Sequence, residues 1–378
     1  MFFIGAYLLT YFTIPKIIGL VEYKNLMDNP NVRSSHVKKT PTLGGVSFFY
    51  TLIFALFFLR IIDDTYAEAI YFIPGLTILF IVGLKDDLLV LSPMTKLIAQ
   101  LVAILFILSN ESFQIKSLNG FLGIYDIPVY LYYLVGAFIM LTIINAYNLI
   151  DGIDGLASIV GIIILIIYTT IFYLTAEYFY VLLSLALNGS LIAFLSYNLS
   201  SERKIFMGDT GSLIVGYIIS TLTLKFLALS PDSYGELPFL LENAPLIAIS
   251  ILIVPLFDTA RVFTIRVTNK KSPFSPDRNH THHILIDSFN LSHKQASFVI
   301  GGFNLVFVIL MIILGSASAN FYLVLILILT VVVLAYLFYR FDYSFANIKR
   351  KILFKRKVEN IRKGMKNKVK NVESENND

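Results

Sequence analysis

The chain alternates between long apolar runs and short polar steps, and the runs set the first expectation. A helix that crosses the hydrocarbon core of a bilayer needs roughly 20 apolar residues. Runs of that kind fall near 1–21, 42–60, 69–84, 95–109, 129–147, 157–174, 179–197, 212–229, 244–264, 297–315 and 319–339. Lipid offers backbone polar groups no partner outside a helix or a closed barrel. The strict alternation of a barrel strand is absent from these runs. The pattern therefore predicts an all-α, polytopic integral membrane protein with about 11 transmembrane helices. Two domains are expected: a transmembrane unit over residues 1–340 and a basic, polar cytoplasmic tail over 341–378.

Composition narrows the picture. Of 378 residues, 57% are hydrophobic and 15% charged, which excludes an ordinary soluble domain. Cysteine is absent, so disulfide frameworks, iron–sulfur clusters and Cys-based zinc sites are excluded. Residues 1–21 lack a basic start and a small-residue cleavage site, so the first run is expected to remain as a span.

Charge sets the orientation. Lys24, Arg33, Lys38, Lys39, Lys85, Arg203, Lys204, Arg266, Lys270, Lys271, Arg278 and Lys294 fall in alternate connections, and a basic run extends from Lys349 to Lys370. The intervening connections carry acids instead, among them Asp63, Asp64, Glu68, Glu111, Asp126, Glu177, Asp232, Glu236 and Glu242. By the positive-inside rule the first set is cytoplasmic, with the N-terminus outside and the C-terminus inside. The tail reads either as a polybasic contact to anionic headgroups or as a solvated topology anchor.

Four polar steps fall on that cytoplasmic side: GLKDDLLVLSPMTK, NAYNLIDGIDGLA, YNLSSERKIFMGDTGS and SPFSPDRNHTHHILID. Any one could be a loop of turn and capping residues. Together they bring acids against the local positive bias, which predicts one polar site built from several loops. Asp86, Asp87, Asp151, Asp154 and Asp209, crowded at one membrane face, would repel one another and call for a cation. Hard oxygen ligands without Cys suit Mg²⁺, with Mn²⁺ as a substitute, and point to phosphoryl-transfer chemistry. Lys96, Lys38 and Lys39 fit the neutralising role. Three His within four residues do not suit one tetrahedral zinc ion and no HExxH accompanies them. His280, His282, His283 and His293, with Arg278, are therefore read as donors to phosphate or sugar oxygens.

In order and spacing, SSHVKKTPTLGG (34–45), KDDLLVLSPMTKLIAQ (85–100), NAYNLIDGIDGLA (145–157), FMGDTGS (206–212) and PDRNHTHHILI (276–286) resemble the polyprenyl-phosphate N-acetylhexosamine-1-phosphate transferases, the MraY/WecA/TagO-like phosphoglycosyl transferases of glycosyltransferase family 4. The likeness covers residues 33–295, most of the chain except the tail. It implies that Asp86 and Asp87 are the family's paired aspartates, one of them deprotonating or orienting a lipid phosphate, and that Lys96 contacts a diphosphate. It implies Mg²⁺ at Asn148 and Asp209, uracil reading by Asp154, a stacking ring at Phe206, and a nucleotide pocket joined by Asn198 and Asp151. The loop DRNHTHHILI is closer to the WecA/TagO branch, which uses UDP-N-acetylglucosamine. Ile284 departs from the Arg and Asn290 from the Gly frequent in the family, and Asn tolerates the left-handed conformation.

The resemblance thus implies transfer of N-acetylhexosamine 1-phosphate, GlcNAc-1-P first, from a UDP-sugar to undecaprenyl phosphate at a bacterial inner membrane. UMP leaves, and a lipid-linked cell-envelope glycan is begun. UDP-MurNAc-pentapeptide stands as an alternative donor. Partners are the nucleotide sugar, the polyprenyl phosphate and membrane lipid, with no nucleic acid and with room for a homodimer. Two other classes stay open, a lipid-linked sugar transporter and a membrane metallohydrolase. Against the transporter, the polar clusters sit at one face and no internal repeat is visible.

Overall fold

In the computed structural model, every apolar run closes its own ladder of backbone hydrogen bonds, as lipid requires. The structure describes residues 1–24, 26–28, 40–62, 67–272, 280–317 and 319–340. Along them run α1 (Phe2–Tyr23), α2 (Gly45–Ile62), α3 (Ala67–Leu89), α4 (Pro93–Leu108), α5 (Val129–Ile150), α6 (Leu156–Leu174), α7 (Tyr178–Asn198) and α8 (Gly208–Leu227). Then follow α9 (Ala244–Ile251), α10 (Ile253–Thr268), α11 (Thr281–Phe289), α12 (His293–Gly315) and α13 (Asn320–Arg340). The tail from 341, Arg278, Lys38 and Lys39 lie outside the described residues.

The chain is an all-α, polytopic membrane protein. Among the described residues eight helices are long and apolar enough to cross a bilayer, or nine when the bent pair α9–α10 is one span. The expected eleven differ from this in three places. Residues 45–58 of α2 and the whole of α4 are apolar but shorter. The start of α4 is fixed by Ser92, whose hydroxyl accepts from the Thr95 N–H, with Pro93 at the first helical position.

The third difference is the break between α9 and α10, bent by 66° where one continuous helix is predicted. Pro255 explains it: without an N–H it cannot bond the carbonyl four residues back, and its ring crowds that group. The freed carbonyl of Ile251 accepts a long bond, 3.5 Å, from Asn304 Nδ2 on α12. Two short antiparallel hairpins were not expected. One pairs β1 (Met27–Asp28) with β2 (Thr40–Pro41), the other β3 (Ser117–Phe121) with β4 (Ile124–Asp126). The second turns through Leu122 and Gly123, both at positive φ, the pairing that suits a two-residue hairpin loop.

At the centre lies α8, packed against α2, α3, α5, α6 and α9. Its hydroxyls are satisfied locally: Thr221 and Thr223 donate to carbonyls one turn back, and Tyr168 pairs with Thr223 at 2.7 Å. Its first turn accepts α2 at backbone contact. A Cβ on Gly45 would stand 2.0 Å from the Gly211 nitrogen. The α3 C-terminus, α4 N-terminus, α5 C-terminus, α6 N-terminus and α8 N-terminus therefore meet at one end of the bundle.

Gly45→Ala is expected to lower stability by about 2–3 kcal/mol, because backbone blocks the methyl group. Gly19→Ala, with nothing within 4 Å of the new atom, is expected to be neutral or stabilising by about 0.5–1 kcal/mol. Detergent-solubilised melting followed by size-exclusion chromatography separates the two outcomes.

Candidate active site

The last turn of α3 carries the first acids. Asp86 accepts from the Leu91 N–H with one oxygen and pairs with Lys96 through the other. This closes a turn in which Val90 is held at φ +48°, a costly conformation for a β-branched residue. Asp87 points the other way, into the start of α8. It accepts the N–H groups of Asp209 and Thr210 at 2.7 and 3.0 Å and the Thr210 hydroxyl at 2.5 Å. A carboxylate facing those unsatisfied amides is favoured by both hydrogen bonding and the helix dipole. Gly208 makes the approach feasible, since it sits at φ +71° and a Cβ there would lie 2.5 Å from Asp87 Oδ2.

Asp209 is thereby held at the meeting point. Lys96 Nζ lies 2.5 Å from its Oδ2, and Asn148 Nδ2 donates to its Oδ1 at 2.7 Å and to Ser212 Oγ at 2.7 Å. One turn deeper, Gln100 and Asn145 exchange amide hydrogen bonds at 3.3 and 2.9 Å and fix α4 against α5. The structure thus brings Asp86, Asp87, Lys96, Asn148 and Asp209 together.

The α5–α6 loop forms a second part. Tyr147 donates to the Ala157 carbonyl at 2.6 Å and closes the loop at its base. Gly155 adopts φ +81° ahead of α6. Both ends of Asn198 are committed to backbone: Oδ1 accepts from Gly155 N–H at 2.6 Å and Nδ2 donates to the Ile205 carbonyl at 2.9 Å. That side chain positions the loop rather than presenting a free amide. Asp154 lies 2.6 Å from Lys204 Nζ and 3.2 Å from His293 Nδ1, and Lys204 sits 5.2 Å over the Phe206 ring. Burial tends to raise the Asp154 carboxyl, but hydrogen bonds from His293 and Lys204 and the Lys204 charge hold it below its ordinary range.

Asp151 has no such relief, since among the described residues its carboxylate carries neither hydrogen bond nor ion pair. Burial first, then the charges of Asp209, Asp87 and Asp154, push it up to about 7. No group of three His, Asp or Glu among the described residues is arranged to hold a metal alone. A divalent ion of the Mg²⁺ kind needs only one or two carboxylates beside water and substrate phosphate. Asp209 and Asn148 supply that donor set, and Asp151 is the uncompensated acid a cation would relieve. The residues fit.

The histidines form a third part. Asp258 of α10 accepts from His280 Nδ1 and from the Thr281 N–H, each at 2.6 Å. His282 and His283 are buried beside it. Burial pushes the His282 imidazole down to about 3, so it is neutral. Asn290 ends α11 in the left-handed conformation, φ +53°. Three contributors escaped the sequence reading as site residues. Lys204 was visible beside FMGDTGS, while Asp258 was visible as an acid within an apolar run. Gln100 gave no signal beyond an amide in lipid.

A model of glycosyl transferase family 4 matches residues 69–227, from α3 through α8. The chain is 35% identical over 82% of its length, and 84% of the relative's, to a probable undecaprenyl-phosphate N-acetylglucosaminyl 1-phosphate transferase of Bacillus subtilis (strain 168). It is 28% identical to an undecaprenyl-phosphate alpha-N-acetylglucosaminyl 1-phosphate transferase of Thermotoga maritima, covering 80% of this chain and 87% of that one. A decaprenyl-phosphate N-acetylglucosaminephosphotransferase of Mycobacterium tuberculosis is 26% identical over 78% of this chain and 77% of its own.

Asp87→Asn is expected to lose about 1–3 kcal/mol of stability, because one carboxamide oxygen replaces two acceptors. Asp86→Asn should lose less than half of that, measured by melting in detergent. The sign for Asp151 follows from its raised value: an acid that holds its proton more tightly when folded destabilises the fold progressively from about pH 4 to pH 7, and fully above. Asp151→Asn should therefore raise the melting temperature at pH 8 and leave it unchanged near pH 4, and millimolar Mg²⁺ should narrow the gap at pH 8. An equal gap at both pH values would refute the assignment.

Proposed function

The chain belongs to glycosyl transferase family 4, and from that premise we propose that it transfers N-acetylglucosamine 1-phosphate from the UDP-linked sugar to undecaprenyl phosphate. UMP is released, and the product begins a lipid-linked cell-envelope glycan. The observation that carries this reading is the convergence of Asp86, Lys96, Asn148 and Asp209 at one end of the bundle, where a lipid headgroup and a water-borne nucleotide can meet.

In the reaction a phosphate oxygen of the lipid attacks the sugar-bearing phosphorus. The bond from that phosphorus to the bridging oxygen breaks, and UMP departs with the electron pair. Asp86 is the better placed of the paired acids to orient or deprotonate the incoming phosphate, because one of its oxygens meets the Lys96 ammonium, whereas both oxygens of Asp87 are bonded to the start of α8. Lys96 places an ammonium where charge builds on the transferring oxygens. Mg²⁺, held by Asp209 and Asn148, would neutralise the diphosphate when bound. Asp154 and Phe206 are the proposed contacts to the uracil, and His280, His282, His283 and Arg278 to phosphate or sugar. The excess of Lys and Arg at this end supports a cytoplasmic site in a bacterial inner membrane.

The test incubates purified protein with undecaprenyl phosphate, Mg²⁺ and a panel of UDP-sugars, with lipid products identified by mass spectrometry. UDP-N-acetylglucosamine should give the lipid diphosphate sugar and stoichiometric UMP. Asp209→Asn should lower turnover by about 10²–10³-fold or more while the protein still folds. An Asp209→Asn protein with full turnover would sink the proposal.

A further inference from the structure

The break between α9 and α10 has a result beyond the bend itself: it places Asp258, one turn after Pro255, inside the site-bearing end of the bundle. An ionisable side chain in an apolar run is costly unless it is paired or used. Asp258 is 3% exposed, and both its oxygens are engaged by α11, one by His280 Nδ1 and one by the Thr281 N–H, each at 2.6 Å. The helix α11 has no capping hydrogen bond from its own N-cap residue, His280. The cap comes from across the bundle.

A carboxylate only accepts, so the His280 nitrogen facing it must carry the hydrogen. That leaves Nε2 as the acceptor on the neutral ring. The His280 ring in turn stacks on His282, centroids 5.5 Å apart and planes 13° apart, and His282 meets His283 at 4.4 Å. On its far side His282 abuts the aspartate loop, since a Cβ on Gly152 would fall 2.6 Å from its Nε2. One contact at Asp258 is thus transmitted through two imidazoles to the residue next to Asp151. Among the described residues, His293 on α12 and Asp151 in the loop that His282 meets are further ionisable groups near this cluster.

We infer that Asp258 is a positioning residue: it fixes the start of α11 and holds His280 with its hydrogen on Nδ1 and with Nε2 presented as an acceptor to a ligand hydroxyl group. Its value for turnover rests on the transferase reading above. Asp258→Asn separates this role from plain capping. The carboxamide has one acceptor oxygen, so it cannot both cap Thr281 and take the His280 hydrogen.

The experiment is ¹⁵N NMR of histidine-labelled full-length protein in detergent, with the His280 signals identified by their loss in His280→Gln. Wild-type His280 should show the Nδ1–H tautomer, and Asp258→Asn should lose it. With UDP-N-acetylglucosamine and undecaprenyl phosphate, Asp258→Asn should lower kcat by about 100-fold with KM for the nucleotide sugar changed less than about 3-fold, as when a carboxylate that orients an imidazole is neutralised. Asp258→Glu should recover part of the loss. Wild-type His280 protonated on Nε2 instead, or Asp258→Asn with wild-type kcat, would overturn the inference. The tautomer is read without substrate and in the wild type. A protein that makes no lipid-linked product therefore refutes the assigned reaction, while the ¹⁵N result still decides the role of Asp258.

Discussion

The grip of Asp87 on the first turn of α8 is the interaction on which the site depends. The helix is surrounded on nearly every side, so its position is shared by α2, α3, α5, α6 and α9. Three donors of its first turn close on one carboxylate from α3. That contact ties the central helix to the α3–α4 turn and delivers Asp209 to Lys96 and Asn148. Satisfying the amides at a buried helix end is obligatory in a poorly hydrated setting. The same bonds therefore serve stability and geometry.

From that anchor the charges are balanced in sequence. Lys96 spans Asp86 and Asp209, Lys204 and His293 face Asp154, and Asp258 faces His280. Asp151 is the acid left over. In a site with reduced dielectric, an unshared carboxylate beside three others costs enough to shift its titration toward neutrality. A cation bound next to Asp209 would relieve it, which links the metal proposed for catalysis to the stability of the loop that carries it.

Much of this was legible in the chain. The apolar runs gave every span its helix, and the acidic steps between them anticipated a site assembled from the ends of α3, α5 and α8. The break at Leu252 was less legible, although Pro255 stood in the sequence. A proline inside an apolar run is tolerated in a membrane when a neighbour re-satisfies the freed carbonyl, and only the fold shows Asn304 near it. Asn198 was read as part of a nucleotide pocket, and its amide is instead spent on two backbone groups. The difference arises because residue type fixes what a side chain can bond, while the partner is set by packing between distant segments. Lys204 and Asp258 escaped for the same reason.

Asp154 shows how the geometry constrains the proposed reading of a nucleobase. Its carboxylate is already engaged by Lys204 and approached by His293, while Lys204 also covers the face of Phe206. A base that stacks on that ring and bonds that acid must displace the lysine from both at once. Charge favours the exchange, because a nucleotide brings phosphates to which the released ammonium can turn, whereas an uncharged nucleobase alone would break an ion pair and return nothing to Lys204. On that proposed reading the pocket would favour the complete nucleotide diphosphate over its base, with Lys204 moving from carboxylate to phosphate as the two ends of the ligand are seated together.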